Sequence, residues 1–466
     1  MRASLPRGVV VAGTRSGCGK TSVALGLMRA LARHGLAVQG FKVGPDFIDP
    51  GLHGLACGRP SHNLDAWMCG PDGLREVFAR YAASADVAVV EGVMGLFDGF
   101  SATDPAGSTA QAASLLGLPV LLVADAASMA RSVAAMVGGY LAFDPDLTFA
   151  GVLLNNAGSP SHAALLAEAM ADALPGVRLC GVLPRRQAVA VPSRHLGLVT
   201  AGDVTDAAGR LDALADWLEA ACDVEALAGS LPAAQGPRTL PGKSVPPGPP
   251  GRVGEGNVRI GLARDRAFCF YYEENVRRLA AAGAELVTFS PLADARLPEN
   301  LAGLYLGGGY PELWAEVLAG NAAMRREVRA FCAAGRPVLA ECGGFMYLME
   351  SLTDPGGRVF PMVGFFPFRA AMGKRFAALG YRQATVRAAC PLGPAGTILR
   401  GHEFHYSSLT GDDGSVPGVY ALSGRQGALA TREGFLLGQT LGSYVHLHFG
   451  SDPGAAGRFV AACAEG

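Results

Sequence analysis

The sequence predicts an α/β protein of two domains, and three observations carry that prediction. Short β-branched runs alternate with Ala/Leu-rich, helix-length stretches from Gly8 to about Pro184, and the alternation restarts at Val258. Between them lies LPAAQGPRTLPGKSVPPGPPGRVGEGN, dense in Pro and Gly and without an apolar period. At 466 residues, the chain exceeds what one core ordinarily organises. The expected layout is a first domain over 1–230, a linker over 231–257 that cannot bury enough surface to order itself, and a second domain over 258–466.

Taken in order, the strands expected in the first half are 8–12, 37–43, 86–91, 119–124, 149–154 and 177–183. Continuous apolar runs separated by helices read as a parallel sheet buried on both faces. The second half begins with VRIGLAR (258–264) and a helix near 273–282, followed by ELVTFSP, LAGLYLGGG and RPVLAEC. Its later segments YRQATVRA, VYALSG and GSYVHLHF are richer in strand, which predicts a mixed sheet.

Composition narrows the function. A net charge of −1 supplies no excess of Lys and Arg for a phosphate backbone, so no nucleic-acid partner is expected. The ten cysteines are scattered, with no CxxC pair and no metal-ligand spacing to His, which fits a reducing cytoplasm. No apolar run reaches the ~20 residues of a membrane span, and the start, MRASLPRGVVVAG, is too short in its apolar part for a signal peptide. Only four of the 39 basic residues are lysine, at 20, 42, 243 and 374. A lysine kept in such a chain marks a place where a compact ammonium is needed. Lys243, in the linker, reads as a solvated charge.

The first chemical signal is GTRSGCGKTS, 13–22, which leaves a strand and opens a helix with Val23, Leu27 and Leu31 on one face. That context is what a phosphate-binding loop requires, because backbone N–H groups and a helix N-terminus meet phosphate charge. Gly13, Gly17 and Gly19 would form the cradle, Lys20 would reach the β and γ phosphates, and Thr21 would ligate Mg2+. Gly13 stands six residues before Gly19 rather than five, so the loop is a variant of the common pattern. FKVGPDFIDP (41–50) adds Lys42, expected among the ATP-binding residues, with Asp46 and Asp49, and VEGVMGLFDG (90–99) adds Glu91 and Asp98, all at strand C-termini where open α/β sheets place ligands. Thr21, Asp46 and Glu91 are the expected metal ligands. Asp49 and Asp98 are candidate substrate contacts, with loop capping as the plainer alternative. Asn155 in GVLLNNAG could pair with an adenine edge, and no NKxD guanine signature exists, so ATP is the expected nucleotide.

The second signal is VLAECGGFMYL, 338–348: a strand, then Cys342, then two glycines and a helical run. A nucleophile on such a turn has backbone N–H groups beside it, which suits acyl transfer through an oxyanion. Gly343 would supply one donor and Gly308, in LGGGYPE, a second. The base must be a distant histidine, from GHEFHYS (401–407) or GSYVHLHFGS (442–451). His446 and His448 point to one face of a strand.

These residues carry a resemblance. Strand, CGG, helix and a late His resemble the class I glutamine amidotransferase domain; the loop variant resembles dethiobiotin synthetase and its ATPase relatives, a P-loop NTPase-like fold. Their fusion, with GTRSGCGKTS, KVGPDFIDP, EGVMGLFDG, LGGGYP, ECGGFMYL, GHEFHYS and SYVHLHF in this order, resembles the cobyrinate a,c-diamide synthase family. The resemblance implies Cys342 as nucleophile and His446 as its base. It implies release of ammonia from L-glutamine, with ATP and Mg2+ converting the a and c carboxylates of cobyrinate into acyl phosphates and then amides. Hydrogenobyrinate or a nickel-sirohydrochlorin would undergo the same chemistry, and a homodimer is compatible with it. Such amidotransferases usually have Glu two residues after the base, whereas this chain has His448, which leaves the third member of the site open. His402 and His405 are placed at that site or at a domain interface and given no catalytic role. A partition-type ATPase switch is the competing class, but it would carry a lysine at Arg15 and would leave Cys342 without a function.

Overall fold

A computed structural model describes residues 5–185, 206–234 and 258–466. The chain divides into two compact units, Met1–Pro241 and Gly242–Gly466.

The first unit is built on seven parallel strands: β1 (Arg7–Gly13), β2 (Val38–Val43), β3 (His62–Leu64), β4 (Val87–Glu91), β5 (Val120–Asp125), β6 (Phe149–Ala157) and β7 (Leu179–Pro184), in the order β3-β2-β4-β1-β5-β6-β7. All six expected strands form. β1 shows why: Val10 and Ala12 enter one apolar core while Val9 and Val11 enter the core on the opposite face. The central position of β1 makes its C-terminal end the point where strand order reverses, the usual ligand crevice of such sheets. The helix Lys20–Arg33 leaves that end with Val23, Leu27 and Leu31 buried. It is backed by the helix Ala207–Glu219 through a bidentate Arg29–Asp212 pair at 2.7 and 3.1 Å.

The linker boundary needs correction. Leu231 and Ala234 are buried, Gly8 donates to the Pro232 carbonyl, and Ala233 bridges Arg7, so residues 231–234 belong to the first unit. Apolar side chains at 231 and 234, and the start of β1 at Arg7 and Gly8 ahead of its pairing with β5 from Val10, explain the docking. The rest of the expected linker, with Lys243, lies outside the described residues.

In the second unit, β8 (Val258–Ala263), β9 (Ala284–Phe289), β10 (Gly303–Leu306) and β11 (Val338–Glu341) form the parallel part of a mixed sheet. A small sheet follows, of β12 (Met349–Thr353), β13 (Val359–Pro361), β14 (Phe366–Met372) and, later, β17 (Ser407–Thr410). β15 (Ala378–Val386), β16 (Ile398–His405), β18 (Gly418–Gly424), β20 (Glu433–Leu437), β21 (Thr440–Ser443) and β22 (Val445–His448) complete the large sheet, with β19 (Gly427–Ala428) paired to β18. Its order is β22-β16-β15-β18-β20-β21-β11-β10-β8-β9. The strand-rich GSYVHLHF spans two strands, broken at Tyr444.

Candidate active sites

In the first unit, the C-terminal ends of β1, β2, β4 and β6 gather the loop residues. Lys20 opens its helix and is buried, which lowers its pKa. Gly19 has φ 102° and its absent Cβ would lie 2.1 Å from Asn155 Nδ2, so both backbone conformation and space demand glycine. Asn155 donates to the Cys18 carbonyl at 2.9 Å and accepts from the Asn156 N–H at 2.8 Å. Its amide supports the loop from beneath with one of its two N–H donors. Arg15 is ion-paired to Asp125 at the end of β5.

Glu91 is the hub of this site. Its Oε1 accepts from the Thr21 hydroxyl at 2.6 Å and from Lys42 at 2.9 Å, and its Oε2 faces His53 Nε2 at 2.7 Å. Glu91 and His53 are wholly buried. The Lys42 ammonium and the two hydrogen bonds hold the carboxylate far below its ordinary pKa despite burial. Lys42 is also ion-paired to Asp49 and donates to the Gly92 carbonyl at 3.2 Å, while Asp46 Oδ2 lies 3.9 Å away. Its three N–H bonds are therefore committed to protein acceptors, and a phosphate oxygen would have to displace one of them. Asp46 Oδ1 also accepts from the Ile48 N–H at 2.7 Å. Burial, with Asp46 and Glu91 adding like charge, raises the Asp49 pKa. Asp98 accepts from the Gly95 N–H at 2.9 Å, the turn-capping alternative. Sequence reasoning missed His53, whose polar partners, Glu91 and Ser61, are distant in sequence.

Among the described residues, no cluster of three or more His, Cys, Asp and Glu is arranged to hold a metal. The Thr21 hydroxyl beside Glu91, with Asp46 nearby, fits an ion that draws most of its oxygens from phosphate and water, as Mg2+ does.

In the second unit, Cys342 directly follows β11 with φ 47° and ψ −104°, a conformation that costs a non-glycine residue about 1–3 kcal/mol. The Cys342 N–H donates to the Ser443 carbonyl at 2.7 Å and its carbonyl accepts from Met346 at 2.9 Å, so neighbouring strand and helix impose the turn. The Gly343 N–H is hydrogen-bonded toward the thiol. Gly309 N lies 3.0 Å from where a Gly343 Cβ would stand. Gly308 sits against the base: a Cβ there would meet His446 Cε1 at 2.3 Å. The structure thus brings Cys342, Gly343, the Gly308 turn and His446 into one site.

His446 and His448 are both buried. Burial, with His402 and His405 adding positive charge, pushes His446 down to about 3. Burial, and then the charge of Glu312, pushes the Cys342 thiol well up. Both shifts favour the uncharged forms, thiol and imidazole, in the closed site. His402 faces His446 across β16 and β22, and His405 stacks on Tyr444 at 4.0 Å and faces Glu403 at 2.9 Å, so both belong to this site. Glu312 and Glu341, unread in the sequence, are each pushed up to about 7 by burial.

Gly308→Ala is expected to displace the imidazole and lower glutamine-driven turnover by about 100-fold. Ammonia-driven turnover should stay unchanged, and steady-state rates with the two nitrogen donors check it.

Two domain models match the chain: a CobQ/CobB/MinD/ParA nucleotide binding domain over residues 9–199 and a CobB/CobQ-like glutamine amidotransferase domain over residues 259–454. It is 48% identical over 470 residues to cobyrinate a,c-diamide synthase of Syntrophotalea carbinolica, covering 99% of each chain. It is 42% identical to hydrogenobyrinate a,c-diamide synthase of Streptomyces coelicolor, covering 99% of this chain and 98% of that one. It is 44% identical to cobyrinate a,c-diamide synthase of Archaeoglobus fulgidus, covering 98% and 97%. No described helix is long and apolar enough to cross a membrane. With a phosphate-loop unit and a cysteine-elbow unit on one chain, and relatives alike along nearly all of it, the chain belongs to the cobyrinate a,c-diamide synthase family.

Proposed function

We propose that the protein amidates the a and c carboxylates of cobyrinate in cobalamin biosynthesis, using ATP and glutamine. The observation that carries this reading is the left-handed Cys342, followed by Gly343 against the Gly308–Gly309 turn that packs on His446, on a chain whose first unit presents Lys20 and Thr21 at a phosphate loop. Relatives named for cobyrinate favour that substrate over hydrogenobyrinate.

His446 takes the thiol proton as Cys342 Sγ attacks the glutamine carboxamide carbon. The Gly343 amide and the Gly308–Gly309 turn face the oxyanion that forms. His446 then returns the proton to the departing nitrogen, releasing ammonia, and water cleaves the thioester to glutamate. In the first unit the corrin carboxylate oxygen attacks the γ-phosphorus and ADP leaves. Ammonia next attacks the acyl carbon and phosphate leaves, because a carboxylate is a poor acyl donor until its oxygen is phosphorylated. Lys20 faces the charge that develops on the β,γ-bridging oxygen. Mg2+, when bound by Thr21, Glu91 and Asp46, supplies further neutralisation of phosphate charge.

The test is incubation of the purified protein with Mg2+-ATP, glutamine and either cobyrinate or hydrogenobyrinate, with products read by mass spectrometry and fragmentation. Two new amides, at a and c, are expected from cobyrinate. Preferential amidation of hydrogenobyrinate would move the assignment to the metal-free substrate, and no amide from either would refute it.

A further inference from the structure

β22, which carries His446, has a strand neighbour on one edge only, β16. Its other edge is held by two buried side chains. Glu341 Oε1 accepts from the Leu447 N–H at 3.0 Å, and Glu341 Oε2 accepts from the Tyr305 hydroxyl at 2.8 Å. Asn275 donates to the Leu447 carbonyl at 2.6 Å and accepts from the Phe449 N–H at 2.8 Å. Glu341 is 2% exposed, and Asn275 and Tyr305 are 0% exposed. These side chains satisfy the backbone groups that a further strand would otherwise pair.

The geometry joins the two reacting residues through one acid. Glu341 is the last residue of β11, directly before Cys342, and its side chain grips the residue directly after His446. His448 offers no carboxylate and does not act in its place. Its Nδ1 accepts from the Gly450 N–H at 3.0 Å, and its ring lies 4.9 Å from Tyr272.

We propose that Glu341, with Asn275, is the positioning device of the glutamine site, fixing the His446 strand against the Cys342 elbow through the backbone. The proposal rests on the reading of Cys342 and His446 as nucleophile and base. A shift of about 1 Å in a reacting group can lower a rate about 100-fold, so loss of the grip should act on kcat.

Glu341→Leu in the full chain is expected to lower glutamine-driven kcat about 100-fold, with KM for glutamine and the ammonia-driven rate unchanged. Alkylation by a chloroketone analogue of glutamine should show the same split, a slower maximal rate at unchanged half-saturation. Glu341→Gln, which can still accept from Leu447 N–H, should recover most of the rate. Tyr305→Phe, which removes only the hydroxyl anchoring Glu341, should repeat the kcat defect in milder form, and Asn275→Asp, which replaces the donor to the Leu447 carbonyl by a carboxylate oxygen, should repeat it as well.

Wild-type kcat in Glu341→Leu, or a raised KM at constant kcat, would overturn the proposal. Equal impairment of Glu341→Gln and Glu341→Leu would overturn it too, by making charge rather than grip the function. If Glu341→Leu does not fold, wild-type kcat in both Tyr305→Phe and Asn275→Asp overturns it. Retained glutamine-driven activity in His446→Ala would refute the underlying reading instead.

Discussion

Cys342→Ala is expected to abolish glutamine-driven amidation, by at least ~10^4-fold, while ammonium salts at alkaline pH sustain it near the wild-type rate. No second thiol replaces the lost one, because the acyl step needs sulfur at the elbow beside the Gly343 amide. The phosphate loop, Glu91 and Lys42 all lie in the other unit, so the substitution leaves acyl phosphate formation intact. Parallel assays with glutamine and with ammonia, counting both ADP and amide, separate the two steps. Glutamine-supported synthesis in this variant comparable to wild type would remove Cys342 from the mechanism.

Lys42 carries the second large effect, and it strikes both nitrogen donors alike. Lys42 is 3% exposed, and its ammonium is the cation shared by Glu91, Asp49 and, more distantly, Asp46. Lys42→Met leaves those carboxylates facing one another without it, a change that typically destabilises a fold by about 3–5 kcal/mol. Amidation should fall below detection with glutamine and with ammonia. Lys42→Arg should not restore it, because a planar fork cannot place three donors on Asp49, Glu91 and the Gly92 carbonyl from one point. Thermal unfolding and single-turnover ADP formation measure the two consequences. Full activity in Lys42→Arg would show that charge alone suffices there.

Lys42 also shows how far the sequence could be read. Lysine scarcity singled it out, and the strand-end position gave its neighbourhood, but its partners follow from the parallel pairing of β2 with β4. The parallel strands were legible because strands buried on both faces spell continuous apolar runs. β3 was not, since His62–Leu64 is three residues long and two of them are polar. The small sheet of β12, β13, β14 and β17 joins pieces far apart in the chain, which no local pattern announces. The Cys342 elbow was legible because a thiol and two glycines after a strand are a local signal. Glu341 was not, although it stands beside Cys342: its meaning lies in Leu447 and Asn275, met only once the sheet has curved round. Asn155 was found, but its hydrogen bond to the Cys18 carbonyl was not, since a polar residue at a strand end does not reveal which loop it supports.

The left-handed backbone at Cys342 bears on how this protein can change over generations. Alanine or serine there inherits the same unfavourable torsion, so neither gains anything in folding to set against lost chemistry. Glycine is different: it adopts φ 47° without penalty, and among single substitutions it alone relaxes that torsion while deleting the thiol. The nucleophile therefore sits where drift toward a sturdier chain and drift toward a dead glutaminase follow the same substitution. A lineage fed by free ammonia would have no force holding the cysteine in place.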